Sequence, residues 1–321
     1  PAGRAARRPS GVTPPAAARA IGAAAAAALG APVRDARPVA GGDLNDAYAL
    51  ELGDGTPAFA KTAAGAVPGT YAAEAAGLRW LAAADAVAVP DVLAVADPPA
   101  GAPHHGPRLL VLSWVRPGRA GPGAAEALGR GLARLHAAGA ESFGAPAPGT
   151  PPDAAGEPAP LRLGPLVLPG APAASWHEAY AEGRLRPLAR RAVDAGALPA
   201  ATARRVERVC ARLPELAGPP EPPARLHGDL WSGNVLHDGR GRPVLIDPAA
   251  YGGHREVDLA MLALFGNPAP ALLRAYDEVR PRAPGHEERV ALWQLLPLLV
   301  HAVLFGGSYG AAVDRAARRY A

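Results

Sequence analysis

Residues 225–258 read RLHGDLWSGNVLHDGRGRPVLIDPAAYGGHREVD, and the spacing of their polar residues decides how the rest of the chain is read. His227-Gly228-Asp229 is followed, five positions after the aspartate, by Asn234. The turn-forming Asp238-Gly239-Arg240-Gly241 then leads into the apolar run Val244-Leu245-Ile246, which ends on Asp247. Phosphoryl transfer asks for such an arrangement. One carboxylate accepts the proton of an attacking hydroxyl, while an amide and a second carboxylate hold Mg²⁺ against nucleotide phosphates. Asp229 is therefore the candidate base, and Asn234 and Asp247 are the candidate metal ligands. A lone His-x-Asp is common in acidic loops; the ordered series on a loop-hairpin-strand frame is far more specific.

The same order characterises the catalytic loop of protein kinases, which also carry a lysine on the third strand paired with a glutamate in the following helix. Lys61 is the single lysine of the chain and falls on the third predicted strand, 58–62. An ammonium is a compact point charge that fits between phosphate oxygens, where the planar guanidinium does not. Glu74, in the first turns of the helix predicted over 70–84, is its expected partner. Gly41-Gly42-Asp43-Leu44-Asn45-Asp46 joins the first two predicted strands. Its glycines would let backbone amides approach phosphates closely, so Gly41, Gly42, Asp43 and Asn45 are assigned to the nucleotide. The loop lacks the full Gly-x-Gly-x-x-Gly pattern. His227 is expected to orient the loop backbone. Asp258 opens an apolar helix, where it could cap the helix or receive amides of the catalytic loop.

Turn signals and apolar periodicity set out the rest. A first helix is predicted over 16–29, strands over 37–40, 47–52, 58–62, 92–96 and 109–115, and helices over 124–138, 175–195, 199–213, 258–264, 269–280 and 287–305. Residues 144–173, rich in Pro, Gly and Ala, read as a long loop or a partly disordered segment. The expectation is an α+β, bilobal protein-kinase-like fold, with a five-stranded antiparallel N-terminal lobe carrying one inserted helix and a mainly helical C-terminal lobe. Its predicted divisions are a disordered tail, 1–15, a nucleotide-binding lobe, 16–115, and a catalytic and substrate-binding lobe, 116–321.

Composition narrows the classes. A net charge of +4 is spread thinly, with no basic block interleaved with aromatics, so no nucleic-acid partner is expected. Cys210 is the single cysteine, which excludes an intramolecular disulfide framework and a cysteine-rich zinc site; a reducing cytoplasm is the expected location. Val206, Val209 and Leu213 flank it at helical spacing, so it should face inward. Ala23–Leu29 is alanine-built and reads as a helix stopped at Gly30 rather than as an export signal. The apolar run 292–307 contains Gln294, Pro297 and His301 and reads as a buried helix, so no membrane partner is expected. His104 and His105 are expected to face solvent, and His136 to be structural.

With these residues placed, the segments HGDLWSGNVL, VLIDPAAYGGHREVDLAMLALFG, GGDLNDAYALEL, EAAGLRWLAAA and LLVHAVLFGGSYG together resemble the fructosamine kinase (ketosamine-3-kinase) family, over about residues 16–310. The resemblance implies a fold like that of aminoglycoside phosphotransferases. It implies ATP and Mg²⁺ as cofactors and phosphorylation of the sugar 3-hydroxyl of ketosamines, as small molecules or on glycated protein, followed by release of the amine. It also implies that Trp231 stacks on the sugar or amine and that His301 reaches the sugar from the last helix. A monomer is expected. Two departures stand out. No cysteine lies near the glycine-rich loop, where Asp43 stands instead, and LGPLVLPGAPAASWHEAY lacks the family's asparagine, which leaves the sugar preference open. The competing readings are a small-molecule kinase of aminoglycoside, choline or homoserine type, against which Trp231 and REVDLAM argue, and a nucleotide-binding pseudokinase. The chain retains the lysine, base and metal ligands that pseudokinases lose.

Overall fold

The computed structural model describes residues 15–40, 45–98, 101–102, 106–152 and 158–321. Residues 1–14 of the proposed tail, the loop residues Gly41, Gly42 and Asp43, and His104 and His105 lie outside the described residues, while Pro15 belongs to the first helix. Helix α1 (Pro15–Leu29) precedes the strands β1 (Val33–Val39), β2 (Asp46–Leu52) and β3 (Pro57–Thr62). Helix α2 (Thr70–Ala82) then leads to β4 (Val92–Ala96) and β5 (Leu109–Ser113). These strands form one antiparallel sheet in the order β1-β2-β3-β5-β4. In β5, Leu109 and Val111 face a core with α1, while Leu110 and Leu112 face a core with α2. Period-two alternation thus covers both faces of the sheet, and Lys61 falls on the face that carries α2.

The remainder is mainly helical. It begins with α3 (Ala124–Ala137), a short hairpin of β6 (Leu161–Leu163) and β7 (Leu166–Leu168), and α4 (Trp176–Tyr180). A π-turn over 181–185 joins α4 to α5 (Arg186–Asp194), and α6 (Ala200–Leu216) follows. The stretch that opened the reading supplies β8 (Ala224–Leu226), β9 (Val235–His237), β10 (Pro243–Leu245) and β11 (Tyr251–Gly253). The chain ends with α7 (Glu256–Leu262), α8 (Pro270–Val279), α9 (His286–Trp293), α10 (Leu295–Phe305) and α11 (Tyr309–Arg318). Strands β9 and β10 form a hairpin, and β8 pairs with β11.

Three expectations need correction. Residues 144–173 are not one loop, because Leu161, Leu163 and Leu168 of the β6–β7 hairpin are core residues packed with Trp176 and Tyr180. Asp258 does not cap its helix, since α7 begins two residues earlier at Glu256. His301 is not on the last helix, because α11 follows α10. The segment His286–Phe305 is apolar and long enough to cross a membrane by composition. It is folded as α9 and α10, however, with Leu292, Trp293, Leu295, Leu296 and Leu299 in the main helical core.

Cys210 lies in that same core beside Val206, Val209 and Leu213. Burial pushes its thiol up to about 12, which starves it of the thiolate that attacks oxidants and disulfides. Mild peroxide should therefore produce neither a disulfide-linked dimer nor a reversible loss of activity. Non-reducing electrophoresis checks this, and a dimer band that disappears with dithiothreitol would contradict it.

Candidate active site

The catalytic loop is held from below. Asp258, fully buried on α7, accepts the backbone N–H of His227 through Oδ2 (2.7 Å) and that of Gly228 through Oδ1 (2.9 Å). Behind it, His136 on α3 approaches Asp258 Oδ2 through Nε2 (3.3 Å), and its Nδ1 lies 2.9 Å from the hydroxyl of Tyr276 on α8. Burial would raise the Asp258 carboxyl; His136, His227 and the Gly228 amide outweigh it and hold the group below its usual range. Gly228 has φ +82°, and a Cβ there would lie 2.0 Å from the Ala249 carbonyl, so no other residue fits the turn.

From that base the loop presents the residues singled out in the sequence. The His227 Nε2–H donates to the Ile246 carbonyl (3.0 Å), since a carbonyl can only accept. Nδ1 is thereby left to accept the Asp229 backbone N–H (3.3 Å). One imidazole thus ties the segment bearing Asp229 to the residue before Asp247. Asn234 spends its amide nitrogen on the Asp229 carbonyl (2.9 Å) and Asp229 Oδ2 (3.1 Å). Its amide oxygen has no hydrogen bond among the described residues and can take another partner. The Asn234 carbonyl accepts the Ile246 N–H (3.1 Å), which sets Asp247 one residue from the same point. Asp247 adopts φ +55°, the left-handed region that a non-glycine residue rarely occupies. Burial pushes the Asp229 carboxyl up, against the pull of His227, His301 and the Asn234 amide.

From the sheet side, Lys61 Nζ lies 3.0 Å from Glu74 Oε1, 2.9 Å from Oε2 and 3.0 Å from Asp247 Oδ1. Burial works to lower the Lys61 pKa, but the Glu74 and Asp247 carboxylates outweigh it, and the ammonium is held above the ordinary lysine range. Glu74 is lifted by burial to about 7, with Lys61 opposing and Asp247 adding to the lift. Asn45 is placed on the same helix from another direction, accepting the Tyr71 hydroxyl (3.0 Å). Lys61, Glu74, Asp229, Asn234 and Asp247, distant in sequence, are thus joined in one linked set.

Beyond Asp229 runs an exposed aromatic strip. The Trp231 ring lies over Gly233, where a Cβ would come within 2.3 Å of it. Trp231 meets Phe265 edge-on at 5.9 Å between centroids; Phe265 meets His301 at 5.1 Å, and His301 meets Phe305 at 5.5 Å and Tyr309 at 4.9 Å. Phe265 and Phe305 are 43% and 50% exposed, which is high for phenylalanine. The His301 Nδ1–H donates to the Pro297 carbonyl (2.7 Å), leaving Nε2 as an acceptor. Sequence reasoning found Trp231 and His301 but missed Phe265, Phe305 and Tyr309. Their only signal was the aromatic content of LFG and LFGGSYG beside the two motifs.

The chain is similar to proteins of known family. A family model described as fructosamine kinase matches residues 18–320. A protein of Synechocystis sp. assigned as a ketoamine kinase is 36% identical over 244 residues, 74% of each chain. The ketosamine-3-kinase of Mus musculus is 37% identical over 140 residues, 42% of this chain and 43% of the mouse protein. Among solved structures, a Thermobifida fusca protein assigned as a fructosamine-3-kinase aligns with a TM-score of 0.81 and 42% identity, covering 94% of this chain and 98% of that one.

Proposed function

We propose that this chain, which belongs to the fructosamine kinase family, transfers the γ-phosphoryl group of ATP to the 3-hydroxyl of a ketosamine, either small or carried on a glycated protein. The product would then shed its sugar and free the amine. The observation that carries this reading is the joining of Lys61–Glu74, Asp229–Asn234 and Asp247 in one place. Asp229 would accept the proton of the attacking hydroxyl. Its Oδ2 is held by Asn234, and Oδ1 has no hydrogen bond among the described residues. Burial raises the Asp229 pKa, which strengthens the carboxylate as a base. Lys61 would grip phosphate oxygens, drawn out of its pairing with Asp247 and steadied by Glu74. Asn45, with Gly41, Gly42 and Asp43, would line the nucleotide side.

The donor set fits Mg²⁺. The Asn234 amide oxygen and the Asp247 carboxylate are hard oxygen ligands, and Mg²⁺ characteristically takes one or two such groups while keeping waters and phosphates. Bound there, Mg²⁺ would neutralise charge on the phosphates and fix their orientation. The aromatic strip supports an acceptor that combines a sugar with an amine substituent, because ring faces cover apolar sugar and alkyl surfaces and attract an ammonium. His301 Nε2 would accept a hydrogen bond from that acceptor.

ATP turnover across ribulosamines, fructosamines and aminoglycosides tests the reading. It predicts ketosamine-dependent turnover with the phosphate on the 3-hydroxyl, and preference for an aminoglycoside would overturn it. The Glu74 pKa adds a pH test. Below about 7 Glu74 is protonated and Lys61 loses one of its two anionic partners, so the KM for ATP should rise as pH falls through that value. Glu74→Gln should show the high KM at every pH. A KM for ATP that is flat through this range in the wild type would remove Glu74 from the phosphate grip.

A further inference from the structure

The N-terminus of α2 is where four parts of the chain meet. The helix has no side-chain cap of its own, because Gly69 stands at that position with φ +83°. Asp97, just beyond β4 and with a fully buried side chain, supplies the cap from outside. Its Oδ1 accepts the Gly69 N–H (3.0 Å), and Oδ2 accepts those of Tyr71 (2.7 Å) and Ala72 (3.1 Å). Arg108, at the start of β5, donates to the same carboxylate at 2.6 Å. Tyr71 in turn reaches Asn45. The fourth part comes from the helical half. Arg162 on β6 donates from Nη2 to the Pro68 carbonyl (2.8 Å), and its guanidinium packs against Gly69. The hairpin carrying Arg162 is rooted in the helical core by Leu161, Leu163 and Leu168.

We propose that Arg162 is a positioning residue for the Lys61–Glu74 pair. Residues 63–69 link the strand bearing Lys61 to the helix bearing Glu74, and Arg162 fastens that linker to the helical half at Pro68, just before the helix begins. The hairpin is a strut: Asp97 fixes the helix end to the sheet, and Arg162 fixes it to the part that carries Asp229, Asn234 and Asp247. Alignment of Lys61 with both Glu74 and Asp247 then depends on a contact distant from the reacting atoms. This rests on the reading that Lys61 grips the nucleotide phosphates, but the strut itself can be tested without it.

Lys61 is the single lysine, so its acylation by acetic anhydride, followed by peptide mapping, reports directly on the pair. Arg162→Ala should acylate at Lys61 several-fold faster than wild type. Because a misplacement of about 1 Å can cost about 10²-fold, partial loosening here should lower kcat/KM for ATP by about tenfold. The KM for the ketosamine should stay near its wild-type value. Arg162→Lys keeps a donor to the Pro68 carbonyl and should recover most of both effects. Arg162→Met keeps an apolar stem beside Gly69 but no donor to the Pro68 carbonyl, and it carries the test if the alanine variant does not fold. Faster Lys61 acylation with unchanged ATP kinetics would uphold the strut and overturn the phosphate role of Lys61. Unchanged acylation in a folded Arg162→Ala protein would overturn the strut, as would a uniform fall in thermal stability in which the ATP and ketosamine constants move together.

Discussion

Asp229→Asn is expected to lower kcat by about 10²–10⁴-fold, the usual contribution of a general base, while leaving ATP affinity near its wild-type value. The substitution preserves shape. The carbonyl of residue 229 still accepts from the Asn234 amide, and an asparagine side-chain oxygen can replace Oδ2 in the second bond. The backbone N–H still reaches His227 Nδ1, and Asp258 still anchors the loop. Stability should not fall. Burial raises the folded-state pKa of Asp229, so above the ordinary carboxylate value the unfolded chain binds fewer protons at this site than the fold does. Ionisation of Asp229 therefore subtracts from stability as pH rises above the ordinary carboxylate value, and the neutral amide removes that loss. An inactive variant that melts at or above the wild-type temperature separates a chemical role from a structural one. Retention of more than about a tenth of wild-type kcat would show that Asp229 is not the base.

The parts of this site that were legible in advance are those whose chemistry is local. His227, Asp229, Asn234 and Asp247 lie within about one hairpin of one another, so their spacing carries their geometry. Lys61 and Glu74 are separated by one strand end and one helix start, and the rarity of lysine made the pair visible. What stayed hidden depends on long-range partners. Asp97 caps a helix 25–28 residues away in sequence, and nothing in the local pattern around Asp97 announces it. His136 reaches Asp258 across 122 residues. The β6–β7 hairpin did leave a trace in LRLGPLVL, where leucines alternate on either side of Gly164-Pro165. The Pro, Gly and Ala around it masked that period, and the hairpin gains its stability by burying leucines in a helical core. Helix α11 was missed because its buried face is built of small residues, Gly310, Val313, Ala316 and Ala317, rather than of the leucines that mark the other helices.

Lys61→Arg is expected to lower kcat/KM for ATP by about 10²-fold, the scale of a roughly 1 Å misplacement of a reacting group, although the charge is kept. The Lys61 side chain is 5% exposed, and its Nζ contacts three carboxylate oxygens at 2.9–3.0 Å, two from Glu74 and one from Asp247. A guanidinium can pair with a carboxylate, but it is wider, planar and rigid in its fork. Entering this slot it must either push α2 outward or move Asp247 from its φ of +55°. Either shift displaces a group assigned to the phosphates or the metal. Overpacking of a buried site also costs about 1–3 kcal/mol, so the variant should melt below wild type, opposite to the expectation for Asp229→Asn. The two substitutions thus move activity the same way and stability in opposite ways, because one removes a charge that the fold tolerates poorly and the other forces volume into a slot built for a point charge. Steady-state ATP kinetics indistinguishable from wild type would mean that charge alone matters at position 61, and the argument from the single lysine would fall.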